Sequence, residues 1–133
     1  MIPGKKLENI LLVCIGNRCR SKIAEEYMLQ ELCGRGYEAS NIPGPDKKVR
    51  ISSAGVAVGI EGKQFTKELG DNADVIIAMD KTVAYSLSNS FNQPESKVIT
   101  LEIYDCYDND IESLVYELDK QLLPIIDLYF PYK

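Results

Sequence analysis

The chain carries a cysteine and an arginine separated by five residues, Cys14 and Arg20. They lie between an apolar run that ends at Val13 and a helix predicted to begin near Ser21. In such a strand–loop–helix setting the backbone N–H groups of the loop can point into one concavity, and the helix N-terminus adds partial positive charge. A thiolate there can attack phosphorus while the planar guanidinium binds two phosphate oxygens. The spacing therefore predicts a phosphate-binding loop with a cysteine nucleophile.

Three other residues of this loop fit that chemistry. Gly16 has no side chain to keep a ligand from the backbone, Asn17 tolerates a left-handed conformation, and the Ser21 hydroxyl can point back at the sulfur. Environments of this kind lower the pKa of a cysteine to about 3.5–7.5. A cysteine–arginine pair alone is a weak pattern, because most intracellular cysteines are small core residues. The strand before the loop and the helix after it favour a nucleophile over a structural cysteine.

The segment from Cys14 to Ser21, followed by Ala24 and Glu25, resembles the signature loop of the low-molecular-weight protein tyrosine phosphatases. Three further segments resemble that family in the expected order, and these are Ser52-Ser53-Ala54-Gly55, Asp74-Val75-Ile76-Ile77-Ala78-Met79-Asp80 and Asp105-Cys106-Tyr107. Together they extend from Leu11 to about Leu123, which is nearly the whole chain. The resemblance is to a short variant of the family.

This resemblance implies that Cys14 is the nucleophile, Arg20 the phosphate clamp and Asp105 the general acid. The reaction would be hydrolysis of phosphotyrosine, in a protein or as a small aryl phosphate, through a cysteinyl-phosphate intermediate. No metal or cofactor would be required, because the arginine and the backbone amides carry the charge. The phosphate-binding residues that it implies are Ile15, Gly16, Asn17, Arg18, Cys19, Arg20 and Ser21.

The same resemblance gives supporting roles to residues around the loop. Asn17, Ser21 and Ser53 would hold the loop in its binding shape and support the thiolate. Tyr107 would stand at the pocket rim beside the aromatic ring of a substrate, although packing is the commoner role of a tyrosine.

The second cysteine of the loop, Cys19, has two interpretations that the sequence leaves open. A reversible disulfide with Cys14 would protect the nucleophile from overoxidation, a role that the resemblance supports. Alternatively, Cys19 packs beneath the loop. A zinc site is not expected, because no cysteine pair has the Cys-x2-Cys spacing and the chain has no histidine.

The general acid has more than one candidate, because Asp105 lies in an acid-rich stretch. Asp108 and Asp110 compete with it, and Asp110 is better interpreted as the N-cap of the last helix. The tyrosine two residues after Asp105 favours Asp105 over Asp108.

The chain departs from the family pattern in four places. Lys22 and Cys106 each replace a proline. The lack of a histidine leaves Ser53 to support Asn17 alone. The stretch 55–74 is short, so an extra helix and part of the substrate rim are expected to be absent. The last departure leaves substrate preference open more than the reaction itself.

Composition is ordinary for one globular domain, expected to span residues 1–133. A nucleophile that must stay reduced indicates a reducing compartment, so the expected location is the cytoplasm. The net charge of −5, without a basic stripe, disfavours nucleic acid as a partner. The apolar run 10–15 is too short to cross a membrane. Expected partners are therefore a phosphotyrosine protein or small aryl phosphate, and phosphate-like oxyanion inhibitors.

Apolar patterning predicts an α/β fold, a doubly wound parallel sheet with helices on both faces. The predicted strands are 9–14, 48–52, 75–79 and 97–101, and the predicted helices are 21–33, 81–91 and one from 111 that Pro124 kinks or ends. The resemblance implies the strand order 2-1-3-4. Cys14 ends the first strand and Asp105 follows the fourth, so both are expected at the carboxyl edge of the sheet, where such folds bind ligands.

Two other functions compete with the phosphatase. A thiol-dependent arsenate reductase shares this loop and fold, but it needs a resolving cysteine that residues 80–91 do not contain. In a catalytically silent phosphate-binding module, the cysteine, the arginine or the acid is expected to be replaced, and all three are present here.

Overall fold

The computed structural model describes residues 7–17, 20–42, 49–59, 62–104 and 110–133. Within them lies one parallel sheet of five strands in the order β2-β3-β1-β4-β5. The strands are β1 (Asn9–Cys14), β2 (Ala39–Ser40), β3 (Val49–Gly55), β4 (Val75–Ala78) and β5 (Val98–Thr100). The predicted parallel α/β sheet is confirmed, with its four predicted strands in the predicted order. The fifth strand, β2, is a two-residue edge strand that the apolar patterning does not predict.

Five helices cover the sheet in the described residues, together with a short 3-10 turn at Glu95–Lys97. They are α1 (Arg20–Gly34), α2 (Lys67–Asn72), α3 (Lys81–Asn89), α4 (Ile111–Gln121) and α5 (Leu123–Tyr129). The predicted break near Pro124 is confirmed, because α4 ends before it and the proline lies in the first turn of α5. The predicted cap is confirmed too, since the Asp110 side chain accepts from the Ser113 N–H at 3.1 Å.

The stretch 55–74 is short but has a helix of its own, which the apolar patterning does not predict. It contains α2, whose first turn is capped by Thr66 through an Oγ1 bond from the Leu69 N–H at 3.2 Å. Phe65, directly before the cap, is buried and packs edge-on against Phe91 with ring centroids 4.9 Å apart. A helix of six residues is too short to show a hydrophobic period, so its residues carry no periodic signal.

The core lies on both faces of the sheet, which explains the uninterrupted apolar run of β1. On one face Ile10 and Leu12 of β1 pack with buried residues of α1, α4 and α5. On the other face Leu11 and Val13 pack with Phe65 and with buried residues of α3. None of the helices in the described residues has the length and apolar character that a bilayer crossing requires.

This packing fixes the carboxyl edge of the sheet. Cys14, the last residue of β1, is in register with Gly55 at the end of β3. The Met79 N–H, just after β4, donates to the Val13 carbonyl at 2.9 Å. The loop that leaves β1 therefore emerges between the ends of two neighbouring strands and enters α1 at Arg20.

Candidate active site

The sulfur of Cys14 lies at the end of β1 with hydrogen-bonding groups around it. The Asn17 backbone N–H donates to Sγ at 3.1 Å, and the Ser21 hydroxyl lies 3.0 Å from Sγ. Cys14 is 3% exposed, and Ser21 is fully buried in the first turn of α1. Donors directed at a sulfur stabilise its anionic form, so this arrangement suits a nucleophilic thiolate.

Asn17 ties the loop to the rest of the molecule. It adopts a left-handed conformation with φ of 52°, which asparagine tolerates better than most residues. Its Nδ2 donates to the Ser21 Oγ at 2.9 Å and to the Ser53 Oγ at 3.0 Å. Its Oδ1 accepts from the Lys63 backbone N–H at 2.8 Å. The amide of this buried side chain therefore uses both donors and its acceptor.

The expectation that Ser53 supports Asn17 alone was wrong, because the Lys63 N–H is a second support. This contact comes from the backbone and not from a side chain. Any residue except proline could provide it, so residue type gave no signal.

Arg20, the first residue of α1, is 5% exposed. Its Nη1 donates to the Asp80 Oδ2 at 2.7 Å and also to the Ile103 carbonyl. Burying a guanidinium without a partner is costly, and the carboxylate of Asp80, itself 1% exposed, offsets that cost. The arginine is thus held at a fixed position beside the loop.

Asp80 is the site residue that the sequence analysis missed. Its Oδ1 accepts from the Val83 N–H at 2.8 Å and so caps α3, while its Oδ2 accepts from Arg20. An aspartate directly before a helix is normally interpreted as a cap and nothing more. The available signal was its position, because it follows a buried strand at the edge where the loop was expected.

Several predicted site residues lie outside the described residues, in 18–19 and 105–109. These are Arg18, Cys19, Asp105, Tyr107 and Asp108, and their roles stay predictions. The chain that leads to them passes the loop, since the Ile103 N–H donates to the Met79 carbonyl at 2.9 Å and the Ile103 carbonyl accepts from Arg20.

On the far side of that stretch, Asp110 is engaged at the start of α4. Hydrogen bonds from the Ser113 hydroxyl and the Ser113 backbone N–H lower the pKa of Asp110. A carboxyl group held ionised in this way is a poor proton donor, which agrees with a capping role. Within the described residues there is also no cluster of three acidic, cysteine or histidine side chains arranged to hold a metal ion.

A sequence model of the family described as "low molecular weight phosphotyrosine protein phosphatase" matches residues 9–120, from the start of β1 to near the end of α4. The chain belongs to this family. Its members are cysteine-dependent protein-tyrosine phosphatases, so the resemblance seen in the sequence is confirmed. The human low molecular weight phosphotyrosine protein phosphatase is 27% identical over 115 residues, which cover 76% of this chain and 73% of that protein.

Solved structures show the same fold. The tyrosine phosphatase Wzb from Escherichia coli, in complex with phosphate, superposes with a TM-score of 0.70 over 92% of each chain at 21% identity. YwlE, described as an arginine phosphatase, superposes with a TM-score of 0.63 over 93% of this chain and 99% of its own at 22% identity. At these identities the likeness concerns the fold alone.

Proposed function

We propose that this low molecular weight phosphatase hydrolyses phosphotyrosine, in a protein or as a small aryl phosphate, with Cys14 as the nucleophile. The observation that carries the proposal is the pair of groups on the Cys14 sulfur, the Asn17 N–H and the Ser21 hydroxyl, at the start of a helix that begins with Arg20. Loop N–H groups and a helix N-terminus favour a phosphate dianion above the sulfur.

In the first step the Cys14 thiolate attacks phosphorus in line. A sulfur–phosphorus bond forms, the bond from phosphorus to the phenolic oxygen breaks, and Asp105 gives its proton to the leaving oxygen. Arg20 uses Nη1 to hold Asp80 and Ile103. Its Nε–Nη2 edge is the edge that binds two equatorial oxygens, whose charge grows in the transition state.

In the second step a water molecule attacks the cysteinyl phosphate. Asp105, now ionised, takes a proton from that water, the sulfur–phosphorus bond breaks, and phosphate leaves with the thiolate restored. No electrons are transferred.

The substrate would meet the protein at the mouth of the loop, where the Ile15 side chain is 42% exposed. An apolar side chain at that position packs more favourably against the aromatic ring of a substrate than against a charged group. We also propose a cytoplasmic location, because the nucleophile must stay reduced. The net charge of −5 disfavours nucleic acid as a partner.

The test of the nucleophile compares the wild type with Cys14→Ser on an aryl phosphate. We expect kcat/KM to fall by at least about 10⁴-fold, because a serine hydroxyl at this site lacks an activated anion. Cys33→Ser is the matched control, since Cys33 is exposed on α1 and should leave kcat/KM unchanged.

The same assay separates the alternatives. A wild type that reduces arsenate with thioredoxin but hydrolyses no aryl phosphate would be an arsenate reductase. One that does neither would be a silent phosphate-binding module. Phosphoarginine belongs in the substrate panel because a fold neighbour, YwlE, is described as an arginine phosphatase, and a preference for it would overturn the aryl proposal.

The test of the general acid compares Asp105→Asn with Asp108→Asn on two substrates. Loss of the proton donor should slow phenyl phosphate, which has a basic leaving group, by about 10²-fold or more, and p-nitrophenyl phosphate much less. We expect this split for Asp105→Asn and not for Asp108→Asn. The reverse assignment would make Asp108 the acid.

A further inference from the structure

The segment from Gly62 to Phe65 runs beside the phosphate loop, and no chemical group in it takes part in the proposed reaction. We propose that its backbone fixes the loop in the anion-binding conformation and that Gly62 is a positioning residue for Cys14. The inference rests on the proposed function, because it names what holds that same site in shape.

Two hydrogen bonds connect the segment to the Cys14 sulfur through Asn17. The Lys63 N–H donates to the Asn17 Oδ1 at 2.8 Å, and the Asn17 N–H donates to the Cys14 Sγ at 3.1 Å. The first bond fixes which end of the amide faces Lys63, so Nδ2 is turned toward Ser21 and Ser53. Without it, a buried acceptor would lose its partner and the amide could turn.

Gly62 lies so close to the loop that a side chain there would collide with the loop backbone. Gly62 has φ of +98°, and a Cβ built on it would lie 2.8 Å from the Gly16 carbonyl oxygen and 3.0 Å from that of Asn17. Both are backbone atoms of the loop, so they cannot give way as a flexible side chain would. Any other residue at position 62 must push the loop or adopt a strained backbone.

The loop also approaches Gly55 closely. A Cβ there would lie 2.5 Å from the Ile15 carbonyl oxygen and 2.7 Å from the Asn17 nitrogen. The backbone of residues 15–17 therefore lies in close contact with two glycines, and its position depends on both.

The segment from Gly62 to Phe65 can hold the loop in place because it is itself hydrogen-bonded to the end of β3. The Gly55 N–H donates to the Lys63 carbonyl at 2.8 Å, and the Phe65 N–H donates to the Gly55 carbonyl at 2.7 Å. Phe65 is 1% exposed and packs against Phe91. A bridge between Gly55 and Gln64 continues the strand pairing at the end of β3. The segment is therefore attached to the sheet.

The experiment compares Gly62→Ala with Gly59→Ala. Gly59 is the matched control, because a Cβ added there would meet nothing within 4 Å. Two quantities are measured in a Cys33→Ser background: kcat/KM on an aryl phosphate, and the rate at which iodoacetamide alkylates the Cys14 peptide, read by mass spectrometry. Alkylation is followed from about pH 6 to about pH 9, since only the thiolate reacts.

For Gly62→Ala we expect both kcat/KM and alkylation at the acid end to fall about tenfold, with alkylation recovering at the alkaline end. Gly59→Ala should match the wild type in both. A purely structural role would lower the melting temperature without moving the pH dependence of alkylation. That result, or a wild-type alkylation profile in Gly62→Ala, would overturn the proposal.

A second variant covers the case in which Gly62→Ala does not fold. Replacing Lys63 by its α-hydroxy analogue removes one N–H and leaves every side chain in place, and we expect alkylation at the acid end to fall about fivefold. An unchanged profile there would overturn the proposal. Because alkylation needs no substrate, this inference can hold or fail even if the wild type hydrolyses no aryl phosphate.

Discussion

Helix α1 has a buried arginine at each end, Arg20 as its first residue and Arg35 directly after its last. They are 5% and 4% exposed. Each donates to an aspartate, at 2.7 Å for Arg20 and 2.6 Å for Arg35, and each also donates to a backbone carbonyl. By burial and pairing alone the two residues are alike.

They differ in how the guanidinium is used. Arg35 engages all three nitrogens: Nε and Nη2 donate to Glu31, Nη2 also to Asp127, and Nη1 to the Phe130 carbonyl at 3.0 Å. These contacts tie α1 to α5 and the end of the chain. The contacts that the structure records for Arg20 within the described residues all use Nη1.

The surroundings of the two carboxylates differ as well. The Asp80 side chain is 2% exposed, whereas that of Asp127 is 61% exposed. A carboxylate buried with its arginine fixes the orientation of the guanidinium, while an exposed one is screened by water and contributes less. Arg35 uses every nitrogen for structural contacts, whereas the recorded contacts of Arg20 leave its Nε–Nη2 edge for the phosphate group that we propose it binds.

The largest difference between the two arginines is expected when their aspartates, Asp80 and Asp127, are neutralised in turn. Asp80→Asn keeps an oxygen to cap α3 but removes the charge that orients Arg20. We expect kcat/KM on an aryl phosphate to fall by about 10²-fold, since a small misplacement of a catalytic group has effects of this size. The melting temperature should also fall, because a buried cation loses its partner.

Asp127→Asn is the matched control, with a similar loss of charge at the other end of α1. It should lower stability slightly and leave kcat/KM within about twofold of the wild type. If Asp80→Asn behaved in the same way, the two arginines would both be structural and the comparison would fail.

How far the sequence predicted the fold can be traced to pattern length. β1, α1 and α4 carry long apolar patterns, and their positions and order followed from those patterns. The strand β2 and the helix α2 were missed because two and six residues are too few to show a period. Their existence depends on packing against β3 and on the cap of Thr66.

The candidate site was predictable where residue type carries the chemistry. A cysteine, an arginine and an asparagine in one loop stand out, and the structure brings Cys14, Asn17, Ser21 and Ser53 together. The contacts of Asp80 and Lys63 carry no signal in residue type. The first looks like an ordinary helix cap, and the second is a backbone N–H that almost any residue provides.

A smaller effect is expected at the other end of α1, where Arg35 is replaced. Arg35→Lys keeps the charge but loses the planar fork, so the contacts to Glu31, Asp127 and Phe130 cannot all be made. We expect the free energy of unfolding to fall by about 2 kcal/mol, measured by urea denaturation, because hydrogen bonds to charged groups are lost. The value of kcat/KM should stay within about twofold of the wild type, since Arg35 lies at the end of α1 opposite to Arg20.

Glu31→Gln measures how much of that loss of unfolding free energy comes from the Glu31 carboxylate. It weakens one carboxylate contact and leaves Asp127 and Phe130 in place, so its effect on unfolding should be below about 1 kcal/mol. Arg35→Lys could instead lower kcat/KM as much as Asp80→Asn does, at a temperature where the variant is fully folded. That result would contradict the assignment of Arg35 to stability and Arg20 to the site. It would mean that the far end of the helix also sets the orientation of Arg20.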